Sequence, residues 1–236
     1  LEYYRRVNMI TKDVQAYATS NWGSYLSSIT ELSKSDEGIS LVQSPIQLYN
    51  FDEICKSLFA HGKVPTSADG LEFFKKSVEF VEFKSGFKQR ITKYNFDPAQ
   101  GQCPEPNVNK VCEEYWKLFF KNQKANISKL ISSIRYKAIE SYISLEKQIF
   151  PHCQDIDTPV HLKLVVVIDE DEVDCIEDTY SELAGNTDDK NNHFSAIRTA
   201  LHRLVNQQDA NGNAYFYDDI EVLSVQDYLN KLKLMS

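Results

Sequence analysis

Residues 68–86 read Ala68-Asp-Gly-Leu-Glu-Phe-Phe-Lys-Lys-Ser-Val-Glu-Phe-Val-Glu-Phe-Lys-Ser-Gly86. Two arms rich in aromatic and β-branched residues flank the polar pair Lys75-Lys76, which predicts a β-hairpin. With those two residues in the turn, positions whose numbers sum to 151 face each other: Phe73 and Val78, Leu71 and Phe80, Asp69 and Glu82. Side chains alternate along a strand, so Val78, Phe80, Glu82 and Lys84 share one side. Directly opposed strand residues lie about 4.5–5.5 Å apart. Two carboxylates and an ammonium are therefore expected to converge at the open end of the hairpin. The expectation depends on register. Lys-Lys is not a favoured two-residue turn pair, and a slip of one residue would send these side chains to opposite faces.

Neighbouring carboxylates repel unless one is protonated or a cation lies between them. Mg²⁺ suits such a pair: it is hard, accepts one or two carboxylates, and keeps water and phosphate oxygens as its other ligands. A bound Mg²⁺ lowers the pKa of its water and offsets charge on a phosphoryl transition state. Lys84 would orient that water or steady the developing charge. The other reading of the stretch is an amphipathic hairpin with a Glu82–Lys84 surface ion pair.

Working outward, residues 50–60 predict a short helix. Asn50 is its cap, Glu53 stands in a capping-box position, and Ile54, Leu58 and Phe59 form the buried side. Upstream, Tyr3, Val7, Ile10, Val14 and Tyr17, then Trp22, Tyr25, Leu26, Ile29 and Leu32, recur three or four apart. Residues 1–34 are thus expected to be helical, and residues 1–40 an N-terminal appendage or dimerisation element beside a main domain of residues 41–236. Downstream, 97–109 reads as a loop, with helices over 109–121 and 127–150. Leu162–Ile168 is a continuous apolar strand, as expected for burial on both faces. Helices follow over 176–184 and 193–206, a strand over 220–223, and a last helix capped by Ser224 and Asp227. This order predicts an α/β fold around a mixed sheet.

The chain has 236 residues and a net charge of −8, unevenly spread. Residues 1–151 hold 20 Lys and Arg against 17 Asp and Glu; residues 152–236 hold 6 against 17. Lys84, Lys88, Arg90 and Lys93 form one basic cluster. Lys110–Lys137 holds seven bases and two acids. A phosphate backbone requires a local positive surface, not a basic protein. No apolar run is long enough for a membrane span, and the opening residues carry no apolar signal-peptide centre. Five cysteines at irregular spacing favour reduced thiols and a cytoplasmic setting. Cys103, Cys112, His152 and Cys153 lack zinc-ligand spacing. Leu164–Glu170 has the look of a Walker B strand, but no phosphate-binding Gly loop accompanies it. The acidic run Asp169–Asp178 lacks the glycine and spacing of a calcium loop.

Asp69 followed by Glu82-Phe83-Lys84 resembles the signature of the PD-(D/E)xK nuclease superfamily, and the Ser-Gly after Lys84 looks like a common variant of it. The resemblance covers residues 45–150 in element order and three side chains in motif. Ala68 stands where the signature has Pro. The resemblance implies a restriction-endonuclease-like mixed sheet flanked by helices, and Mg²⁺- or Mn²⁺-dependent hydrolysis of phosphodiesters, with DNA as substrate. It implies that Asp69, Glu82 and the Phe83 carbonyl bind the metal and that Lys84 is the catalytic lysine. Glu53 would be a further acid on the preceding helix. Lys88, Arg135 and Lys137 would hold substrate phosphate, since basic residues on the helix after the motif often do so in this superfamily. Such an enzyme would serve phage defence, repair or mobile-element maintenance. The rival expectation is a non-catalytic interaction module, or an inactive member of the fold, that meets a partner protein through its N-terminal helices and acidic C-terminal part.

Overall fold

The hairpin forms in the register that the alternation dictates: Leu71 pairs with Phe80, Phe73 with Val78, and Phe74 with Ser77. Its arms are β4 (Gly70–Phe74) and β5 (Ser77–Lys84) in a computed structural model of the chain. The structure describes residues 10–59, 62–74, 76–87, 108–169, 193–206 and 216–235. The expected helix over 176–184 and the basic run from Lys88 to Lys93 lie outside them.

Seven strands form one mixed sheet. β2 (Leu26–Ser28), β3 (Gln47–Asn50), β4 and β5 follow one another in antiparallel pairs. β5 then pairs in parallel with β6 (Asp155–Ile168), and β6 in parallel with β7 (Asp219–Ser224). Parallel neighbours need long crossovers. Helix α4 (Val108–Ser144) lies in the first and α5 (His193–Asn206) in the second. α4 is a single run of 37 residues, where the polar stretch 122–126 suggests a break. Irregular helical turns carry it on to His152.

Both faces of the sheet are covered, which explains the apolar β6 sequence. On one face Val78, Phe80, Leu164 and Val166 pack beneath α1 (Val14–Asn21), α3 (Phe51–Leu58), α4 and α5. On the other, Val81, Phe83, Val165 and Val167 pack against Ile29 of α2 (Ile29–Leu32) and against Tyr228 and Leu232 of α6 (Val225–Met235). Asn50 caps α3 by accepting the Glu53 N–H at 3.0 Å. Ser224 caps α6 by accepting the Asp227 N–H at 3.1 Å.

The expected helix over residues 1–34 is corrected in part: α1 and α2 are helical, but strands precede and separate them. From residue 10 onward the segment includes β1 (Ile10–Lys12), which pairs with β6, and β2, which pairs with β3. Trp22 and Val14 join the first core. Strands of three residues are too short to show a period of two. Their backbone is satisfied by distant partners, and that overrides the helical spacing of the aromatics. Among the described residues no helix is long and apolar enough to cross a membrane.

Candidate active site

Asp69 lies one residue before β4, where it continues the hairpin register opposite Glu82. Its Oδ2 accepts the Phe83 N–H at 2.8 Å, so the carboxylate closes the open end of the hairpin. Its backbone carbonyl accepts the Phe51 N–H at 3.2 Å, which ties the same residue to the start of α3. One face of α4 grips the segment leading into it. The Glu140 carboxylate accepts the Thr66 N–H and hydroxyl, and Ser141 Oγ accepts the Ala68 N–H at 2.8 Å. Lys137, Glu140 and Ser141 stand at i, i+3 and i+4, the spacing that stacks side chains on one side of a helix. Tyr217 donates its hydroxyl to the Ala138 carbonyl at 2.6 Å and fixes this turn of α4.

Lys137 is the third member of the centre. Its Nζ lies 2.9 Å from Asp69 Oδ1 and 2.9 Å from Glu82 Oε2. Glu82 is 1% exposed. Its second oxygen, Oε1, is buried with no hydrogen-bond partner. Burial and then the Asp69 charge push the Glu82 carboxyl up to about 8, against the pull of Lys137 and Lys84. Burial alone would lower the Lys137 pKa, but the two carboxylates outweigh it and hold the ammonium charged. Lys84 ends β5, and its charge favours ionised Glu82.

The structure thus brings Asp69, Glu82 and Lys137 together, while Lys84, two residues beyond Glu82 on β5, acts on Glu82 through its charge and lines neither cavity beside Lys137. Other expected residues are placed elsewhere. Glu53 is exposed and pairs with Lys56 at 2.7 Å. Its neighbour Asp52, about 100° around the helix, lines a cleft of about 460 Å³ with Ser27, Glu31, Asn50, Asp69 and Lys137. The capping-box pattern drew attention to Glu53, and no local signal singled out Asp52. Arg135 is exposed and lines neither this cleft nor the groove described next, since two residues along a helix turn it away from Lys137. Lys88 lies outside the described residues.

On the other side of Lys137 a shallow groove of about 590 Å³ runs along α4 past Thr66, Lys129, Ser132, Ser133 and Tyr136. Tyr136 is 65% exposed. Lys137 borders both the cleft and the groove.

Two carboxylates with a common cation between them, one carrying an unpartnered buried oxygen, are a donor set that a hard divalent ion fits. Among the described residues no group of three or more His, Cys, Asp or Glu side chains is gathered for a metal. Asp169, the acid of the Walker-like strand, accepts the Gly86 and Phe87 N–H groups at 2.8 and 2.9 Å. It braces the loop after Lys84. Gly86 there has φ +105°, a conformation that favours glycine.

No family model, curated protein or solved structure matches the chain.

Proposed function

We propose that the chain is a divalent-metal-dependent nuclease of the PD-(D/E)xK type, with a restriction-endonuclease-like core and DNA as substrate. The observation that carries the reading is the meeting of Asp69 and Glu82 at one cation-binding point, with Lys84 at the end of the same strand. Asp69, Glu82 and the Phe83 carbonyl would hold Mg²⁺ or Mn²⁺. Such an ion supplies a more acidic bound water and offsets negative charge on the phosphoryl group.

The chain's own groups prepare the site. Asp69 is oriented by the Phe83 N–H, so its second oxygen stays directed at the shared point. Lys84 and Lys137 bring positive charge to a place where a phosphodiester would gain negative charge during hydrolysis. The groove along α4, with Lys129, three serines, the exposed Tyr136 ring and the Glu140 carboxylate engaged by Thr66, offers phosphate and base contacts next to the acids.

The test is cleavage of plasmid and single-stranded DNA with Mg²⁺ or Mn²⁺. Asp69→Ala and Lys84→Ala are expected to abolish it while the protein stays folded. Cleavage surviving both substitutions would place the chemistry elsewhere.

One observation favours a second reading. Lys137 bonds to both acids from within, as a structural ion pair does, which suits a non-catalytic member of the fold that binds DNA or a protein partner. In that case no divalent ion supports cleavage, and removing Lys137 only destabilises the chain.

A further inference from the structure

The Lys137 ammonium lies at the point where a cation shared by Asp69 and Glu82 would sit, 2.9 Å from an oxygen of each. We propose that Lys137 is an internal placeholder for the divalent ion: it holds the two acids together in the resting protein and is displaced toward the α4 groove when the ion binds. The inference rests on the nuclease reading and adds to it a means by which the site is kept intact and guarded without metal.

Three features support it. First, the lysine is an incomplete partner. It reaches one oxygen of Glu82 and leaves Oε1 buried and unpaired. An ammonium has three donors on a compact head, whereas a hard divalent ion gathers up to six oxygens and binds carboxylates more strongly. Second, the side chain has somewhere to go. Lys137 borders the acid cleft on one side and the groove with Lys129, Ser133 and Tyr136 on the other. Its four-carbon stem turns about single bonds, unlike the acids, which are fixed by β5 and by the Phe83 N–H. Third, two cations a few ångströms apart repel strongly, so lysine and metal cannot share the point. Arrival of one displaces the other. Once displaced, the ammonium would face the groove, where a substrate phosphate is its natural partner. Binding of metal and of substrate would then reinforce each other.

The experiment measures Mn²⁺ binding to the full chain by the loss of the free-ion paramagnetic resonance signal. It compares wild type with Lys137→Met, Lys137→Gln, Lys84→Met and Glu82→Gln, and uses thermal unfolding with and without Mn²⁺ as a second readout. Removing the placeholder should tighten Mn²⁺ binding roughly tenfold or more, and Mn²⁺ should raise the unfolding temperature of Lys137→Met more than that of wild type. Should Lys137→Met fold poorly alone, its rescue by Mn²⁺ reads the same effect, and Lys137→Gln keeps a hydrogen-bond donor in place. Lys84→Met should tighten binding less than Lys137→Met, and Glu82→Gln should weaken it. Lys137 variants that bind Mn²⁺ no more tightly than wild type overturn the proposal, even where wild type cleaves DNA and the nuclease reading stands. Tighter binding by the Lys137 variants in a protein that cleaves no DNA sinks the nuclease reading and leaves the displacement intact.

Discussion

Asp69 and Phe83 are joined by a 2.8 Å hydrogen bond from the Phe83 N–H to the Asp69 carboxylate, beyond the last backbone pair of the hairpin. The bond makes Asp69 part of the sheet as well as of the candidate centre. It predicts that two substitutions separate the roles. Asp69→Asn keeps an acceptor for the Phe83 N–H but turns an amide NH2 toward Lys137, so it should cost less stability than Asp69→Ala, yet it removes the charge that would hold a metal. Asp69→Ala leaves a part-buried N–H and Lys137 short of acceptors and should cost about 1–3 kcal/mol. Chemical denaturation measures the difference. Equal stability of the two variants would show that the bond contributes nothing.

The buried Glu82 carboxyl, raised to about 8, makes stability depend on pH. Between about 4.5, its ordinary value, and about 8 the native state holds a proton that the unfolded chain releases. Stability from this group is therefore full below pH 4.5 and lost as pH rises through 8. Glu82→Gln should match wild type near pH 5 and exceed it above pH 8 by an amount on the order of 1–4 kcal/mol. Unfolding midpoints across pH 5–9 check this. Parallel curves for the two proteins would refute it.

A second buried ionic cluster lies on the opposite face. Lys231 of α6 contacts Glu79 of β5 and Glu221 of β7 at 2.7 Å each, and Glu79 is almost fully buried. Glu72, paired with Glu79 across the hairpin, is pushed up to about 7 by burial and by the Glu79 charge. Lys231→Met should destabilise the fold by about 3 kcal/mol, because it strands a buried carboxylate. The loss should shrink when Glu79→Gln is added. Additive effects in the double variant would contradict the coupling.

The loop after Lys84 is held by Asp169 through two N–H groups, at Gly86 and Phe87. Asp169→Ala should cost about 2 kcal/mol, since hydrogen bonds to a charged acceptor are among the stronger ones. On the nuclease reading it should also reduce cleavage, because Lys84 loses its brace. Hydrogen exchange at residues 85–87 is the direct measurement, and unchanged protection would remove Asp169 from this role.

The hairpin was legible because a period of two and a two-residue turn fix every pair at once, Asp69 and Glu82 included. The C-terminal half of β6 was legible from the apolar run Leu162–Ile168, interrupted only by Lys163, whereas its polar first half, from Asp155, was not. The N-terminal strands were not, because each is three residues long and is defined by partners far away in sequence. Lys137 was legible as a basic residue near the site, but not as the link between the acids. Its contacts lie 68 and 55 residues away, and only the packing of α4 on the sheet brings them together. The choice between Asp52 and Glu53 turned on one residue of helical rotation, which a capping pattern does not report.

The Asp169 brace also bears on protein engineering. Residues 69–87 look self-contained, with a turn, two arms and three chemical side chains. Yet the acceptors for the last two N–H groups come from a strand end 82 and 83 residues further along. A graft of the hairpin into another scaffold would leave its reactive end untethered unless the host supplied an acid at the equivalent strand terminus. The transplantable unit is the hairpin together with the parallel strand beside it, not the hairpin alone.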